Sequence, residues 1–235
     1  INDKRSISTT KFGKSTYLGD PINILRILND KYADEVCIID IGSMKSTFEL
    51  DFEYLKELAS ECHMPLTYGG GVTSIADAEK ILNLGFEKIS VNRMALENPS
   101  FITKLSKAFG SQSVVVSVDI KNTFFLKQLK IFSKVKIHSS FKGKSLNEVA
   151  ELLFDSGAGE LLFQHVDRDG MRMGLDGRLI TLSTSLAGRP VIVSGGIQDI
   201  EEVRLLAHSE INIAACSAFT RSKYGNGILV SYPAL

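Results

Sequence analysis

The chain has 235 residues, with 27 lysines and arginines against 27 aspartates and glutamates, and 44% of its residues are hydrophobic. This composition is typical of a globular protein, and it excludes both a disordered chain and a strongly basic protein that would bind nucleic acid through its net charge. Its apolar runs are far shorter than the roughly 18 residues that a membrane-spanning helix needs. We therefore expect neither a nucleic acid nor a membrane as a partner.

The three cysteines, Cys37, Cys62 and Cys216, are far apart in the sequence and lack the spacing of metal ligands. Two of them lie in apolar runs typical of strands, which favours buried thiols in a reducing cytoplasm over a disulfide. The polar residues at the start are not those of a secretory signal. We expect a cytoplasmic protein with no metal and no cofactor.

Short apolar runs typical of strands alternate with helix-patterned segments such as Ile75–Leu84 and Leu146–Phe154. Apolar strands separated by helices form a parallel sheet that is covered on both faces, so the pattern predicts an α/β protein. One segment, Thr123–His138, instead alternates as strands do and predicts a β-hairpin inserted after a sheet strand. The seven predicted sheet strands are Glu35–Ile41, Pro65–Tyr68, Lys88–Val91, Val114–Asp119, Glu160–Val166, Val191–Ser194 and Ile211–Cys216.

The sequence also repeats itself at an offset of 125 positions. The segment Tyr68–Val72 resembles Val193–Ile197, and Asp34–Ile38 resembles Gly159–Phe163. Two similar halves of four βα units close into a (β/α)₈ barrel, which we expect to form one domain over residues 1–235. Because only seven strands are found, we expect the first strand of the barrel to be missing from this sequence.

Glycine runs follow two predicted strands at matched positions of the repeat and precede a helix in both cases. Bare backbone N–H groups beside the positive end of a helix favour phosphate binding, although a tight βα turn alone would also need glycine. Two such sites at one mouth of a barrel predict a ligand with two phosphate groups. The residues assigned to them are Gly70, Gly71, Gly195 and Gly196, completed by Asn92 and Ser217 at the ends of the following strands.

Two acidic positions follow strands at the same mouth. Asp119 closes an apolar strand, where partial burial would raise its pKa and suit it to acid–base catalysis; a helix cap or a salt bridge is the alternative. Asp169 and Gly170 lie in the loop after the Glu160–Val166 strand, where an ordinary turn is the alternative to a role in the site.

Charged residues stand at the opposite ends of three strands, at Glu35, Lys88 and Glu160. On the residues alone, solvated salt bridges are the favoured interpretation. The alternative is a polar gate through which a small molecule enters the barrel from below.

Longer segments resemble the HisF family, the cyclase subunit of imidazole glycerol phosphate synthase. They are Gly69–Lys121, Gly157–Asp176, the VIVSGGI segment around Gly195 and the AACSAF segment around Cys216. The resemblance implies a barrel that takes ammonia from a HisH-like glutaminase docked on its bottom face, the face formed by the amino-terminal ends of the strands. It implies that the ammonia enters a bisphosphorylated ribonucleotide, which is cyclised and cleaved.

The resemblance also implies roles for single residues, and it replaces the salt-bridge interpretation of the bottom face with the gate. In the HisF family, two catalytic aspartates end the first and fifth strands of the barrel. Asp119 matches the second of these, whereas the first lies in the missing strand; we add Asp169 as a second catalytic candidate. The substrate and phosphate residues are Gly70, Gly71, Asn92, Arg93, Gln164, Gly170, Gly195, Gly196, Cys216 and Ser217, and the gate and partner residues are Glu35, Glu87, Lys88 and Glu160. Arg93 and Gln164 replace small hydroxyl residues of the family, which indicates an altered ligand.

The segment from Thr10 to Asn23 and the segment from Tyr224 to Pro233 resemble the WbuZ-type members of this family. Those are associated with surface-polysaccharide synthesis, and the resemblance implies a barrel that relays ammonia to a sugar amidotransferase. The alternatives left open are the histidine-pathway cyclase, a non-catalytic scaffold that activates its glutaminase, and a phosphosugar isomerase, which would leave the gate unexplained.

Overall fold

The computed structural model describes residues 1–44, 48–123, 128–186, 188–207 and 211–215. The chain begins with a hairpin and continues as alternating helices and strands. Its elements are β1 (Ser6–Thr9), β2 (Ser15–Gly19), α1 (Pro21–Asp30), β3 (Val36–Ile39), α2 (Phe52–Glu61), β4 (Leu66–Gly69), α3 (Ile75–Asn83), β5 (Lys88–Val91), α4 (Arg93–Glu97), α5 (Ser100–Phe109), β6 (Val114–Asn122), β7 (Leu129–Ile131), α6 (Leu146–Asp155), β8 (Glu160–His165), α7 (Gly177–Ser185), β9 (Val191–Ser194), α8 (Ile200–Ala207) and β10 (Asn212–Ala214).

The strands β3, β4, β5, β6, β8, β9 and β10 pair in parallel in the order in which they follow one another. Helices separate successive strands, so the predicted (β/α)₈ barrel architecture is confirmed. β3 and β10 lie at the two edges of the sheet within the described residues. Next to β3, the Ile1 nitrogen donates to the Ile39 carbonyl and the Ile41 nitrogen donates to the Ile1 carbonyl, as in a parallel pair of strands.

The main core lies between the sheet and the helices. Alternate residues of the central strands, such as Ile89, Val91, Val116 and Val118, are at most 3% exposed and pack with apolar side chains of the helices. Side chains alternate between the two faces of a strand, so the intervening residues lie on the other face, the lumen of the barrel. This alternation places the site residues described below.

The repeat predicted from the sequence is visible in matched contacts. An added Cβ would lie 2.5 Å from the Asp40 carbonyl oxygen at Gly70 and 2.6 Å from the His165 carbonyl oxygen at Gly195. Both glycines have positive φ, +133° and +97°. Asp40 and His165 are themselves 125 positions apart, so equivalent glycines pack against equivalent strand ends in the two halves.

Two hairpins differ from the sequence-based expectation. A hairpin was predicted within Thr123–His138, but the strand described there, β7, pairs antiparallel with the extended end of β6, which precedes that segment; residues 124–127 lie outside the described residues. The hairpin of β1 and β2 was not predicted, because its strands are short and mostly polar. Among the described helices, none has the length and hydropathy of a membrane span.

Candidate functional site

At the amino-terminal end of the lumen, Lys88 forms an ion cluster with two carboxylates. Its Nζ lies 2.9 Å from Glu35 Oε2 and 3.1 Å from Glu160 Oε2, and Thr67 Oγ1 donates to Glu35 Oε1 at 2.8 Å. Burial lowers the pKa of Lys88, but the hydrogen bonds to Glu35 and Glu160 outweigh it and raise that pKa above its usual value. Lys88 is therefore a cation at neutral pH. The structure brings these three predicted gate residues together, whereas Glu87 is exposed at the side of the cluster.

Above this ion cluster, two further contacts join β5 to β6. Ser90 Oγ and Ser117 Oγ are 2.5 Å apart, and Asn92 Nδ2 donates to Asp119 Oδ2 at 3.0 Å. Lys88 and Ser90 are alternate residues of β5 and therefore share one face of the strand, and Asn92, the first residue after β5, contacts β6 on the same side through Asp119. Four residues of strand span about 13 Å, so polar contacts recur over that length from the ion cluster to Asp119.

Asp119 is the described lumen carboxyl group best suited to proton transfer near neutral pH. Burial raises its pKa to about 6, the hydrogen bond from Asn92 lowers it, and the nearby charge of Asp169 raises it again. A carboxyl group with this pKa accepts and releases a proton near the pH of the cell, as a general acid or base must. Because the charge of Asp169 acts on Asp119, the two catalytic candidates lie at the same end of the lumen.

The hairpin of β1 and β2 lies against the loop that carries Asp169. Thr9 Oγ1 donates to Asp169 Oδ2 at 2.5 Å, and the Lys11 nitrogen donates to the Asp169 carbonyl at 3.0 Å. Gly170 has φ +66°, and a Cβ at this position would overlap the Thr9 carbonyl. The sequence analysis missed this contact, because residues 160 positions apart along the chain carry no local signal of it.

The glycine turns are tightly packed, and the helices after them are already capped. At α3, Ser74 and Asp77 form a capping box, and at α8 the Asp199 carboxylate accepts from two backbone N–H groups of the first turn. These side chains accept from some of the backbone N–H groups at the start of each helix. Phosphate binding by Gly70, Gly71, Gly195 and Gly196 stays a prediction that depends on the glycine backbone alone.

The other predicted substrate residues are placed as follows. Gln164 is half-buried and lies between Asp119 and Ser194 in the register of the sheet. Arg93 begins α4, and its Nε is 3.9 Å from Glu97 Oε2 at the protein surface. Cys216 and Ser217 lie outside the described residues.

A charged network that the sequence analysis did not single out surrounds Asp176. This residue is 3% exposed and caps α7. Arg178 Nε and Nη2 contact its two oxygens at 2.9 and 2.6 Å, and His165 Nε2 and Arg168 Nε lie 3.3 and 3.4 Å from Oδ2. The hydrogen bonds from Arg178 hold the pKa of Asp176 well below its usual range. Burial lowers the pKa of His165, which therefore favours a neutral ring.

Comparison with known proteins shows the family of the chain. Residues 1–223 match the family model described as "Histidine biosynthesis protein". The chain belongs to this family. A Leptospira borgpetersenii protein named "Putative imidazole glycerol phosphate synthase subunit HisF" is 36% identical over 237 residues, which cover 99% of this chain and 92% of the relative. A Pseudomonas aeruginosa protein with the corresponding name, hisF2, is 37% identical over 99% of this chain and 92% of its own length.

These relatives confirm that the chain is a HisF-like member of the histidine biosynthesis family. They also agree with the barrel described above. The roles of individual residues stay predictions, among them catalysis by Asp119 and Asp169 and the gate at Lys88.

Proposed function

We propose that this HisF-like barrel is a synthase subunit that receives ammonia from a HisH-like glutaminase at the Lys88 cluster and delivers it to Asp119. The observation that carries the proposal is the series of polar contacts on one face of β5. An ion cluster lies at the amino-terminal end, a serine pair in the middle and an Asn–Asp pair at the carboxyl end.

The ion cluster has the properties of a gate. Lys88 holds two carboxylates at the entrance of the lumen, and all three side chains are at least two-thirds buried. Bulk ions would have to separate these pairs in a partly desolvated environment, which costs free energy. A docked partner that contacts the bottom face could shift one of the carboxylates and open the lumen to a small neutral molecule.

The lumen beyond the gate suits ammonia. Val115 and Leu162 are buried yet lie outside the main cluster between sheet and helices, as expected of lumen residues. Apolar walls exclude water, whereas the hydroxyl groups of Ser90 and Ser117 can donate hydrogen bonds to a passing ammonia molecule and accept from it. Such a lumen keeps ammonia neutral and therefore nucleophilic until it reaches Asp119.

At the carboxyl end, the raised pKa of Asp119 supports acid–base chemistry. An amine that adds to an electrophilic carbon must lose a proton, and a carboxylate with a pKa of about 6 can accept it. Asp169, held by Thr9, is the second candidate for this role. The ligand would be a phosphorylated small molecule whose phosphate groups bind the glycine turns.

For the acceptor, we propose the acetamido sugar of a surface polysaccharide, modified together with a sugar amidotransferase. Two observations support this branch: the resemblance of the N-terminal segment to the WbuZ-type members, and the presence of Arg93 and Gln164 at the mouth in place of small hydroxyl residues. The cyclase of the histidine pathway is the second candidate, and the raised pKa of Asp119 favours it.

The experiment supplies the natural full-length protein with the histidine-pathway bisphosphate substrate and excess ammonium, without a glutaminase. The proposed amidation branch predicts no loss of the bisphosphate, together with stimulation of glutamine hydrolysis by a co-expressed HisH-like glutaminase. Turnover of the bisphosphate would instead establish the cyclase. A complex that forms but shows neither activity would contradict both the amidation branch and a scaffold that activates its glutaminase.

The gate is tested in the same complex with Lys88→Ala. We expect the fold to be retained and the coupling between glutamine hydrolysis and nitrogen transfer to fall, because the ion cluster is lost. Lys107→Ala is the matched control, since Lys107 is exposed on α5 and distant from the lumen. Unchanged coupling in Lys88→Ala would refute the gate.

A further inference from the structure

We propose that Arg178 is a positioning residue, which with Asn122 and Asp176 fixes the loop that carries Asp169 relative to the strand that carries Asp119. The proposal deepens the proposed function, because it assumes that these two aspartates act together. It rests on hydrogen bonds that begin where the pairing of β6 and β8 ends.

The backbone pairing of β6 with β8 ends at Ile120 and His165. Beyond this pair, β8 turns into the short helix Val166–Arg168, so the end of β6 keeps its pairing with β7 but loses β8 as a backbone partner. Side-chain hydrogen bonds take the place of the pairing with β8. The backbone nitrogen of Asn122 donates to Asp167 Oδ2 at 2.8 Å, and Asn122 Nδ2 lies 3.3 Å from the same oxygen.

Arg178 holds the other side of Asn122. Its Nη2 donates to Asn122 Oδ1 at 2.6 Å, while the same guanidinium contacts both oxygens of Asp176. Asp176 is fixed in turn, because it is buried at the start of α7 and caps that helix. The end of β6 is therefore held between the loop after β8 and the first turn of α7.

The two catalytic candidates lie close to this junction in the sequence. Asp119 is three residues before Asn122, and Asp169 is two residues after Asp167. The charge of Asp169 is strong enough at Asp119 to raise its pKa, so small displacements of the loop change the environment of Asp119. A guanidinium suits this position, since its planar fork makes several directed hydrogen bonds at once, which an ammonium group cannot do.

The test compares Asn122→Ala, Arg178→Gln and Arg178→Lys in the natural full-length protein. Asn122 is exposed, so its truncation removes the side-chain contacts with Arg178 and Asp167 without opening the core, and it leaves the backbone hydrogen bond to Asp167 in place. Arg189→Gln is the control, because Arg189 has similar exposure and its guanidinium contacts Glu151 at 3.6 Å and the Phe154 ring, both on α6. Two readouts are recorded: amide hydrogen exchange at Asn122 and residues 167–170, and kcat and KM in whichever ammonium-dependent reaction the protein supports.

We expect faster exchange at these amides in all three variants and unchanged exchange in the middle of β6. We also expect kcat to fall about tenfold or more with KM little changed, since misplaced catalytic groups cost rate rather than binding. Arg178→Lys should not restore kcat, although it keeps the charge.

Wild-type exchange in Asn122→Ala and Arg178→Gln would overturn the proposal, and so would full recovery of kcat in Arg178→Lys. If the wild-type protein shows no ammonium-dependent reaction, the acid–base role of the two aspartates fails, and the exchange data alone decide whether Arg178 holds the loop.

Discussion

The raised pKa of Asp119 predicts a specific pH dependence of stability. Burial raises this pKa from 3.8 to about 6 in the folded protein. Between these values the folded state binds a proton that the unfolded state releases, so the contribution of Asp119 is most favourable below about pH 4 and is lost as the pH rises through 6. Because each pKa unit corresponds to about 1.4 kcal/mol, ionised Asp119 costs about 3 kcal/mol of folding free energy.

The substitution Asp119→Asn removes this cost, because an amide does not ionise. We expect the free energy of unfolding of Asp119→Asn, relative to wild type, to rise by about 2.5 kcal/mol between about pH 4 and pH 7.5. Urea denaturation followed by circular dichroism at several pH values measures this difference. Only its change with pH is used, so any constant effect of the substitution cancels.

Asp155→Asn is the matched control, because Asp155 is an exposed carboxylate at the end of α6. This control measures how the removal of one exposed negative charge changes the free energy of unfolding, with the buried Asp119 carboxyl group left intact. A difference between Asp119→Asn and wild type that stays constant over this pH range would refute the burial argument. It would also remove the physical basis for placing proton transfer at this residue.

Three further predictions are checked by urea denaturation. Gly195→Ala should lower the free energy of unfolding by more than about 2 kcal/mol, because φ is +97° and an added Cβ would lie 2.6 Å from a carbonyl oxygen of β8. Gly177→Ala is the control, since nothing lies within 4 Å of its added Cβ, and it should leave the free energy of unfolding near the wild-type value. Lys88→Met should lower the free energy of unfolding by about 2 kcal/mol at neutral pH, because two largely buried carboxylates lose their cation; a free energy of unfolding equal to that of the wild type would contradict the ion cluster. Asp176→Ala should cost about 3 kcal/mol at neutral pH; because Arg178 holds the pKa of Asp176 low, the wild-type advantage should begin to decline below about pH 4 and fall further as the pH approaches that lowered pKa, and an advantage that does not decline in acid would contradict this pairing.

The barrel and both ends of its lumen could be predicted from the sequence, because each has a local signal. Apolar strands alternate with amphipathic helices, and glycines recur where strand ends pack closely. Charged residues at strand starts, such as Lys88, identified one end of the lumen, and Asp119 after an apolar strand identified the other. In both cases the position within the strand determines which face and which end the side chain occupies.

Contacts between distant segments could not be predicted in this way. Thr9 reaches Asp169 across 160 positions, and Arg178 reaches Asn122 across 56. Neither pair has a periodic or spacing signal, since the contact depends on how loops of different length meet at the mouth of the barrel. The capped helix at α3 is different. Its Ser-x-x-Asp spacing is a local signal in the sequence, and it predicts the capping box of Ser74 and Asp77 at the start of the helix.

The central claim is that one lumen carries ammonia from the Lys88 cluster to Asp119, and an isotope competition tests it most directly. The natural full-length protein is combined with a HisH-like glutaminase, amide-¹⁵N glutamine, unlabelled ammonium and the acceptor that supports turnover. We predict that the product contains ¹⁵N well above its share of the bulk ammonia, and that Lys88→Ala lowers this enrichment toward the bulk value while Lys107→Ala does not. A wild-type product with the isotope ratio of the bulk ammonia would contradict the account.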